Sequence, residues 1–338
     1  MPEFSPLATP GKTREILTRY GLNTKKSLGQ HFLVSDGVIG RILRLAKVSR
    51  GDQILEIGPG IGTLTEALLL ADATVFSVEK DFSLLPVLAD IQARYPRQFC
   101  YLHADALDVL ATDDSPLREA TKLVANLPYA VAATLVLECF VRLSCLQSAT
   151  VMVQSEVAQR MMAKPNSKDY GAYTIKLQSL ALPIDSFKVS ASNFLPPPRV
   201  NSTVLHLQRN SGDTNSYVGK ENGNDSFCKS ELFLTGNHSA STADISHDIY
   251  LRQQMQQALF TIVDAAFFQR RKTVRNSMLA YVNANINNSD NAIIRALNLQ
   301  VIDSIFKQAQ ISPVCRGESI PVAGYQKLAH LFVRLLAC

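Results

Sequence analysis

Seven residues, Glu56-Ile57-Gly58-Pro59-Gly60-Ile61-Gly62, place the tightest limit on what this chain can fold into. The apolar run Gln53-Ile54-Leu55 before them reads as the start of a buried strand. Thr63 to Leu70 after them are mostly good helix formers. The glycines therefore occupy a strand-to-helix turn, where positive φ is needed and another molecule can come close to the backbone. A helix starting there aims free N–H groups and the positive end of its dipole at whatever binds. G-P-G-x-G alone is a weak signal, because a tight turn with no ligand asks for the same residues.

The acids downstream sharpen it. Thr74 to Val78 reads as a second strand ending at Glu79, 21 residues past Gly58. A doubly wound fold sets a carboxylate against ribose hydroxyls at about that distance. Phe99 to His103 reads as a third strand, followed by Asp105-Ala106, and Lys122 to Ala125 as a fourth, followed by Asn126-Leu127-Pro128-Tyr129. Strands over 149–154 and 202–207 complete an open α/β sheet of Rossmann-like type, whose ligands bind outside the carboxyl ends of the strands. Each polar feature falls on that rim. Glu79 also reads as a solvated strand-end acid, Asp105 as a helix N-cap, and Asn126 to Tyr129 as a plain turn.

A chain of 338 residues is long enough for two domains. No apolar run approaches the ~20 residues of a membrane span, and Met1 to Gly11 lacks the apolar stretch of a signal peptide. The six cysteines show neither CxxC nor zinc spacing, so reduced thiols in a cytoplasmic protein and no metal are expected. Before the glycine turn, Asp36 or Ser35 is placed to cap a helix from Val38 to Leu45.

The net charge of +5 is unevenly spread: residues 1–50 hold nine Lys/Arg against three Asp/Glu, and residues 251–338 hold ten against four. Basic ends flanking the turn favour a polyanionic partner such as nucleic acid. Of residues 210–247, 19 of 38 are Ser, Asn, Gly or Thr, which predicts a flexible insertion or linker. Apolar periodicity is helical from Ile249 on. The expected domains are therefore 1–209, a Rossmann-like sheet, and 248–338, a small α-helical domain, joined by 210–247.

The motifs together resemble a family. Lys26-Ser27-Leu28-Gly29-Gln30-His31-Phe32-Leu33, the glycine turn, Glu79, Asp105-Ala106 and Asn126-Leu127-Pro128-Tyr129 occur in order. So do Asn193-Phe194-Leu195-Pro196-Pro197-Pro198-Arg199-Val200-Asn201-Ser202 and Gln269-Arg270-Arg271-Lys272-Thr273-Val274-Arg275-Asn276-Ser277. The set is similar to that of the KsgA-type ribosomal RNA adenine dimethyltransferases, over all but residues 210–247. The sequence departs from the pattern at His31, where members often carry Asn, and at Ala130-Val131-Ala132, where Asn-Ile-Ser or similar is usual.

The resemblance implies a methyltransferase fold with S-adenosylmethionine as methyl donor. It implies as acceptors two neighbouring adenosines in the 3′-terminal hairpin loop of small-subunit rRNA, dimethylated at N6 during ribosome biogenesis. The implied donor contacts are His31, Leu33, Gly58, Gly60, Glu79, Asp105, Ala106 and Asn126. The implied catalytic residues are Asn126, Leu127, Pro128 and Tyr129, with Phe194 stacking on the base opposite Tyr129. Phe194 reads equally well as a core aromatic. Lys25, Lys26, Arg270, Arg271, Lys272 and Arg275 are candidate phosphate contacts. The last four fall within about five positions, roughly one and a half turns if helical, and a solvated helix face is their other reading. The expected partners are the small ribosomal subunit and its rRNA, with no membrane, the protein acting as a monomer. Three rivals remain. A large-subunit methyltransferase conferring macrolide resistance would share the catalytic half. An idle assembly factor leaves Glu79, Asp105 and Asn126 without a reason, and a nicotinamide dehydrogenase leaves Asn-Leu-Pro-Tyr without one.

Overall fold

A computed structural model describes residues 3–25, 30–112, 116–210, 242–285 and 292–336. It divides into two compact units, Met1–Met162 with Leu180–Arg209, and Ala163–Ser179 with Asn210–Cys338. In chain order the elements up to residue 209 begin with α1 (Pro10–Arg19), β1 (Phe32–Leu33), α2 (Asp36–Leu45), β2 (Gln53–Ile57), α3 (Thr63–Leu70) and β3 (Thr74–Glu79). Then come α4 (Leu85–Arg94), β4 (Phe99–His103), α5 (Ala106–Ala111), β5 (Lys122–Asn126), α6 (Ala132–Arg142) and β6 (Ser148–Gln154). The run closes with α7 (Ser155–Met161), α8 (Ala172–Leu180), β7 (Ala181–Val189), β8 (Phe194–Leu195) and β9 (Ser202–Arg209).

Seven strands form one sheet in the order β4-β3-β2-β5-β6-β9-β7. The five from β4 to β6 are parallel, and β9 and β7 close the far edge antiparallel. Strand order reverses between β2 and β5, so the carboxyl ends of these two strands flank the crevice where an open α/β sheet binds its ligand. β2 is buried at Ile54, Leu55, Glu56 and Ile57, as a central parallel strand covered on both faces must be. Ile39 of α2, Leu68 of α3 and Leu88 of α4 pack fully buried with Phe99 into the core. Ser35 is the N-cap of α2 but makes no side-chain cap bond. Asp36 instead accepts from the backbone N–H groups of Glu3 and Ser5 at 2.7 and 2.8 Å, tying down the N-terminal segment.

A second, two-residue ladder pairs β1 with β8 antiparallel, Phe32 opposite Leu195 and Leu33 opposite Phe194. It sets the Gln30-His31-Phe32-Leu33 motif beside Phe194-Leu195-Pro196.

The second unit consists of helices: α9 (Thr242–Phe267), α10 (Val274–Asn285), α11 (Ala292–Ala296), α12 (Leu299–Ala309) and α13 (Val322–Leu336). Ile262, Val263, Met278, Phe306, Leu328 and Phe332 are buried at its centre. Tyr170 and Ile175 share that core, and the Tyr170 hydroxyl donates to the Ile320 carbonyl at 3.0 Å. Residues 163–179 thus pack with the helices, whereas a boundary at 209 leaves them with the sheet. Most of the sequence-predicted insertion, 211–241, lies outside the described residues, and its last six residues, 242–247, open α9. Among the described residues no helix is long and apolar enough to cross a membrane.

Candidate active site

The glycine turn leaves β2 with Gly58 at φ +72° and Gly60 at φ +61°, the left-handed region that L side chains rarely adopt. Space is tight at Gly60 and ordinary at Gly58. A Cβ on Gly58 would stand 3.5 Å from the Pro128 ring, and one on Gly60 3.2 Å from the Phe32 ring. Three predicted motifs therefore meet at van der Waals range: the glycine turn, Asn-Leu-Pro-Tyr and the segment around His31. The acid that opens the turn has a structural partner set of its own. Glu56 is buried, and one of its carboxyl oxygens accepts from Thr65 Oγ1 at 2.6 Å and Ser77 Oγ at 3.0 Å. Burial pushes its pKa up to about 7 against the pull of those hydroxyls.

Glu79 ends β3 and is 7% exposed. Its carboxylate accepts from Gly60 N at 3.2 Å and Asp81 N at 2.8 Å, closing the turn onto the next strand. Burial raises its pKa, opposed by those amides. Asp81 belongs to none of the sequence motifs, yet it organises the neighbourhood. Lys25 Nζ lies 2.5 Å from one of its oxygens and Gln30 Nε2 2.7 Å from the other. Gln30 also accepts from Lys25 N at 2.8 Å. Burial alone would raise the Asp81 pKa, but Lys25, Ser83 and Gln30 together bring it down to about 2. Lys25 is thus engaged with a buried acid beside Glu79, not held out as a phosphate contact. Lys26 lies outside the described residues. The one sequence signal for Asp81 is its position two residues after Glu79, the same side of the chain at the end of a strand.

Asp105 is the N-cap of α5 and also holds Lys80. One oxygen caps α5 by accepting from Leu107 N at 3.0 Å, and the other meets Lys80 Nζ at 2.7 Å. The Lys80 bond, then the Leu107 bond, lower its pKa. Ala106 follows as the first, buried residue of α5.

Asn126 ends β5, and its Nδ2 donates to the His31 carbonyl at 3.3 Å, which turns Oδ1 the other way as an acceptor. His31 Nδ1 donates to the Pro196 carbonyl at 2.8 Å, and its ring stacks on Tyr129 with centroids 5.7 Å apart. Tyr129 in turn bonds Ser202 Oγ through its hydroxyl at 2.7 Å. Asn126, Tyr129 and His31 are each half-buried. Leu33 and Phe194 face each other across the short ladder and are 3% exposed, in the core cluster. In this structure Phe194 is a core aromatic and offers no open face for stacking. The ring seen against Tyr129 is His31.

The basic cluster lies in the second unit. Arg270, Arg271 and Lys272 are not helical but occupy the turn between α9 and α10. Arg275, on α10, holds Asp303 in a two-point ion pair at 2.6 and 3.0 Å. Arg270 is engaged by Glu318 at 3.3 Å and the Lys168 carbonyl at 2.7 Å. Arg271 and Lys272 are exposed, with no ion pair among the described residues. Sequence spacing does not separate these two from Arg275, because Asp303 lies 28 residues away.

The rim fits a nucleoside with a cationic, flexible substituent. It offers two carboxylates after successive strands and a glycine turn in the left-handed region. Glu79, Asp105, Gly58 and Gly60, the donor contacts that the resemblance implies, all lie on this rim.

Comparison with known proteins agrees. Residues 21–228 match the family model described as ribosomal RNA adenine dimethylase. A Clostridium botulinum protein named "Ribosomal RNA small subunit methyltransferase A" is 31% identical over 326 residues, 96% of this chain and 99% of its own length. A protein of the same name from Opitutus terrae is 45% identical over 203 residues, 60% of this chain and 73% of its own. A dimethyladenosine transferase from Plasmodium falciparum superposes with a TM-score of 0.61 at 18% identity, over 88% of this chain and 96% of that one. The 23S rRNA methyltransferase ErmE superposes with a TM-score of 0.54 at 19% identity, over 89% and 99%, and shows the fold. The chain belongs to the ribosomal RNA adenine dimethylase family and is an S-adenosylmethionine-dependent rRNA methyltransferase.

Proposed function

We propose that this enzyme dimethylates N6 of two adjacent adenosines in the 3′-terminal hairpin loop of small-subunit (16S) rRNA, in the cytoplasm, as a monomer, during ribosome biogenesis. The observation that carries the acceptor chemistry is the orientation of Asn126. Its amide is held through Nδ2 on the His31 carbonyl at 3.3 Å, which leaves Oδ1 as its acceptor.

Adenine N6 is a poor nucleophile because its lone pair is delocalised into the ring. S-adenosylmethionine supplies an electrophilic methyl group when bound. Asn126 Oδ1 accepts one N6 hydrogen. A backbone carbonyl of the Leu127-Pro128 turn accepts the second; that of Pro128 also accepts from Val131 N at 3.2 Å. Two acceptors draw density back to nitrogen, hold it in line for attack, and stabilise the positive charge that grows there. Tyr129 stacks on the base, which must leave its own stack to enter. Its hydroxyl is anchored on Ser202, so the ring is fixed before the base arrives. Arg271 and Lys272 take phosphates of the rRNA, and the helical unit serves as an RNA-binding domain. The small subunit is preferred over the large one because the full-length relatives carry the small-subunit name.

Unmethylated small and large subunits incubated separately with tritiated donor, then digested to nucleosides, test the reading. Label in N6,N6-dimethyladenosine of the small subunit is expected. Label confined to the large subunit would overturn it in favour of the macrolide-resistance activity.

A further inference from the structure

A groove lined mainly by polar residues opens on the same rim, one residue from the side chain that anchors Tyr129. Its volume is about 430 Å³, the scale of one nucleotide and too small for a hairpin. Gln154, Ser155, Gln159, Lys188, Arg199 and Asn201 line it.

The sheet register places it. Asn126 of β5 is opposite Met152 of β6, and two residues further along β6, Gln154 is opposite Ser202 of β9. Ser202 is the residue bonded to the Tyr129 hydroxyl, and Asn201 precedes it. On the other side of β9, Lys188 of β7 is opposite Thr203. The wall is fixed: Ser155 N donates to the Asn201 carbonyl at 3.0 Å, and Asn201 Oδ1 accepts from Ala191 N at 3.3 Å. That bond turns the Asn201 Nδ2 donor away from the loop. Lys188 and Arg199 are exposed and have no ion-pair partner among the described residues, Glu156 in the same groove included.

We propose that this groove is a second nucleotide subsite. It holds the nucleotide next to the adenosine being methylated, and it rests on the reading of Asn126 to Tyr129 as the acceptor pocket. A base drawn out of its stack carries its phosphates with it, and the neighbouring nucleotide must follow the enzyme surface. Lys188 and Arg199 supply the cations for those phosphates. The amides of Gln154 and Gln159 each offer a donor and an acceptor, the pattern that reads an adenine edge in two-point fashion, and Asn201 adds its Nδ2 donor. Splayed bases read along their edges are the usual target of sequence-specific RNA recognition. The preferred occupant is an unpaired adenosine.

The test uses the full-length enzyme with a single-stranded RNA fragment spanning the target and with small subunits. In Lys188→Gln/Arg199→Gln, KM for RNA should rise about tenfold with kcat within about twofold, and the salt slope of RNA binding should fall by up to about 0.7 for each phosphate no longer neutralised. Donor affinity and melting temperature should stay unchanged. Replacing the adenosine beside the target with an abasic residue should weaken the wild type but weaken Gln154→Ala no further. If the double variant keeps wild-type KM and salt slope, or if Gln154→Ala and the abasic RNA add their losses in full, the subsite is overturned. Should the double variant melt early, the exposed Gln159→Ala takes its place in the same additivity comparison. Failure of the acceptor pocket itself reads differently, as normal turnover in Asn126→Ala.

Discussion

The ammonium of Lys25 sits 2.5 Å from the carboxylate of Asp81, whose side chain is 2% exposed. Asp81 in turn donates its backbone N–H to Glu79. This pair connects the segment before β1 to Glu79, the acid we propose receives the donor's ribose. Lys25→Ala and Asp81→Asn should each weaken donor binding by about tenfold, the effect of losing a charge-assisted hydrogen bond. Lys25→Arg should restore part of it, and the salt slope of RNA binding should not move. Calorimetric titration of donor into the three variants checks this, and unaltered affinity would reduce the pair to a surface anchor. The tie is acid-resistant. A carboxylate with its pKa depressed to about 2 contributes fully above the ordinary range and loses its contribution only as pH falls through about 2.

Asn126 and Glu79 should separate chemistry from binding. Asn126→Ala removes a preorganised acceptor and should lower single-turnover methylation by about two to three orders of magnitude. Donor affinity should fall much less, because Glu79 and Asp105 remain. Glu79→Ala should do the reverse, weakening donor binding far more than Asn126→Ala does. Near-normal turnover in Asn126→Ala would remove that residue from the mechanism.

The four basic residues around the α9–α10 turn should not behave alike. Arg271→Gln with Lys272→Gln should lower the salt slope of subunit binding by up to about 0.7–0.9 for each phosphate left without its cation. Arg275→Gln should leave the slope alone and show itself in thermal unfolding, since its guanidinium is already committed to Asp303. Equal slopes for the two variants would refute the distinction.

Glu56 gives a pH signature. Its pKa is raised to about 7 by burial, so the folded chain holds this proton more tightly than the unfolded one. The resulting stability is fully present below the ordinary carboxyl pKa and is lost as pH rises through about 7, an effect on the order of 3 kcal/mol. Glu56→Gln keeps an acceptor for Thr65 and Ser77 and has no charge to bury. Its stability relative to wild type should therefore improve from pH 5 to about pH 7 and level off above it in denaturant titrations. A constant difference across that range would mean that Glu56 does not titrate there.

Local chemistry made much of this site legible in advance. The glycine turn, Glu79, Asp105 and Asn126 announce themselves because strand ends, turns and acids follow one another within short spans. β7 is harder to foresee: Pro183, Asp185 and Lys188 interrupt its alternation, and it lies at the sheet edge with an irregular register between Pro183 and Asp185. The commitments of Lys25 to Asp81 and of Arg275 to Asp303 depend on partners 56 and 28 residues away, which no local pattern encodes. Phe194 shows the same limit, since only the ladder to Leu33 decides that its ring is covered.

That ladder also sets an order of assembly. The contacts of the donor cradle are short-range: Glu79 and Gly60 are 19 residues apart. Those of the acceptor wall are not, with Tyr129 and Ser202 separated by 73 residues and His31 and Pro196 by 165. Closing such long loops costs entropy that only the finished contacts return. During synthesis, a growing chain that has not yet reached Pro196 already carries every residue of the cradle but lacks the partners that steady His31 and Tyr129. Hydrogen exchange on stalled nascent chains should find β2 and β3 protected before Asn126 and Tyr129. With Glu79 and Gly60 as the proposed donor cradle, a newly made molecule should become able to hold its methyl donor well before it can hold a base.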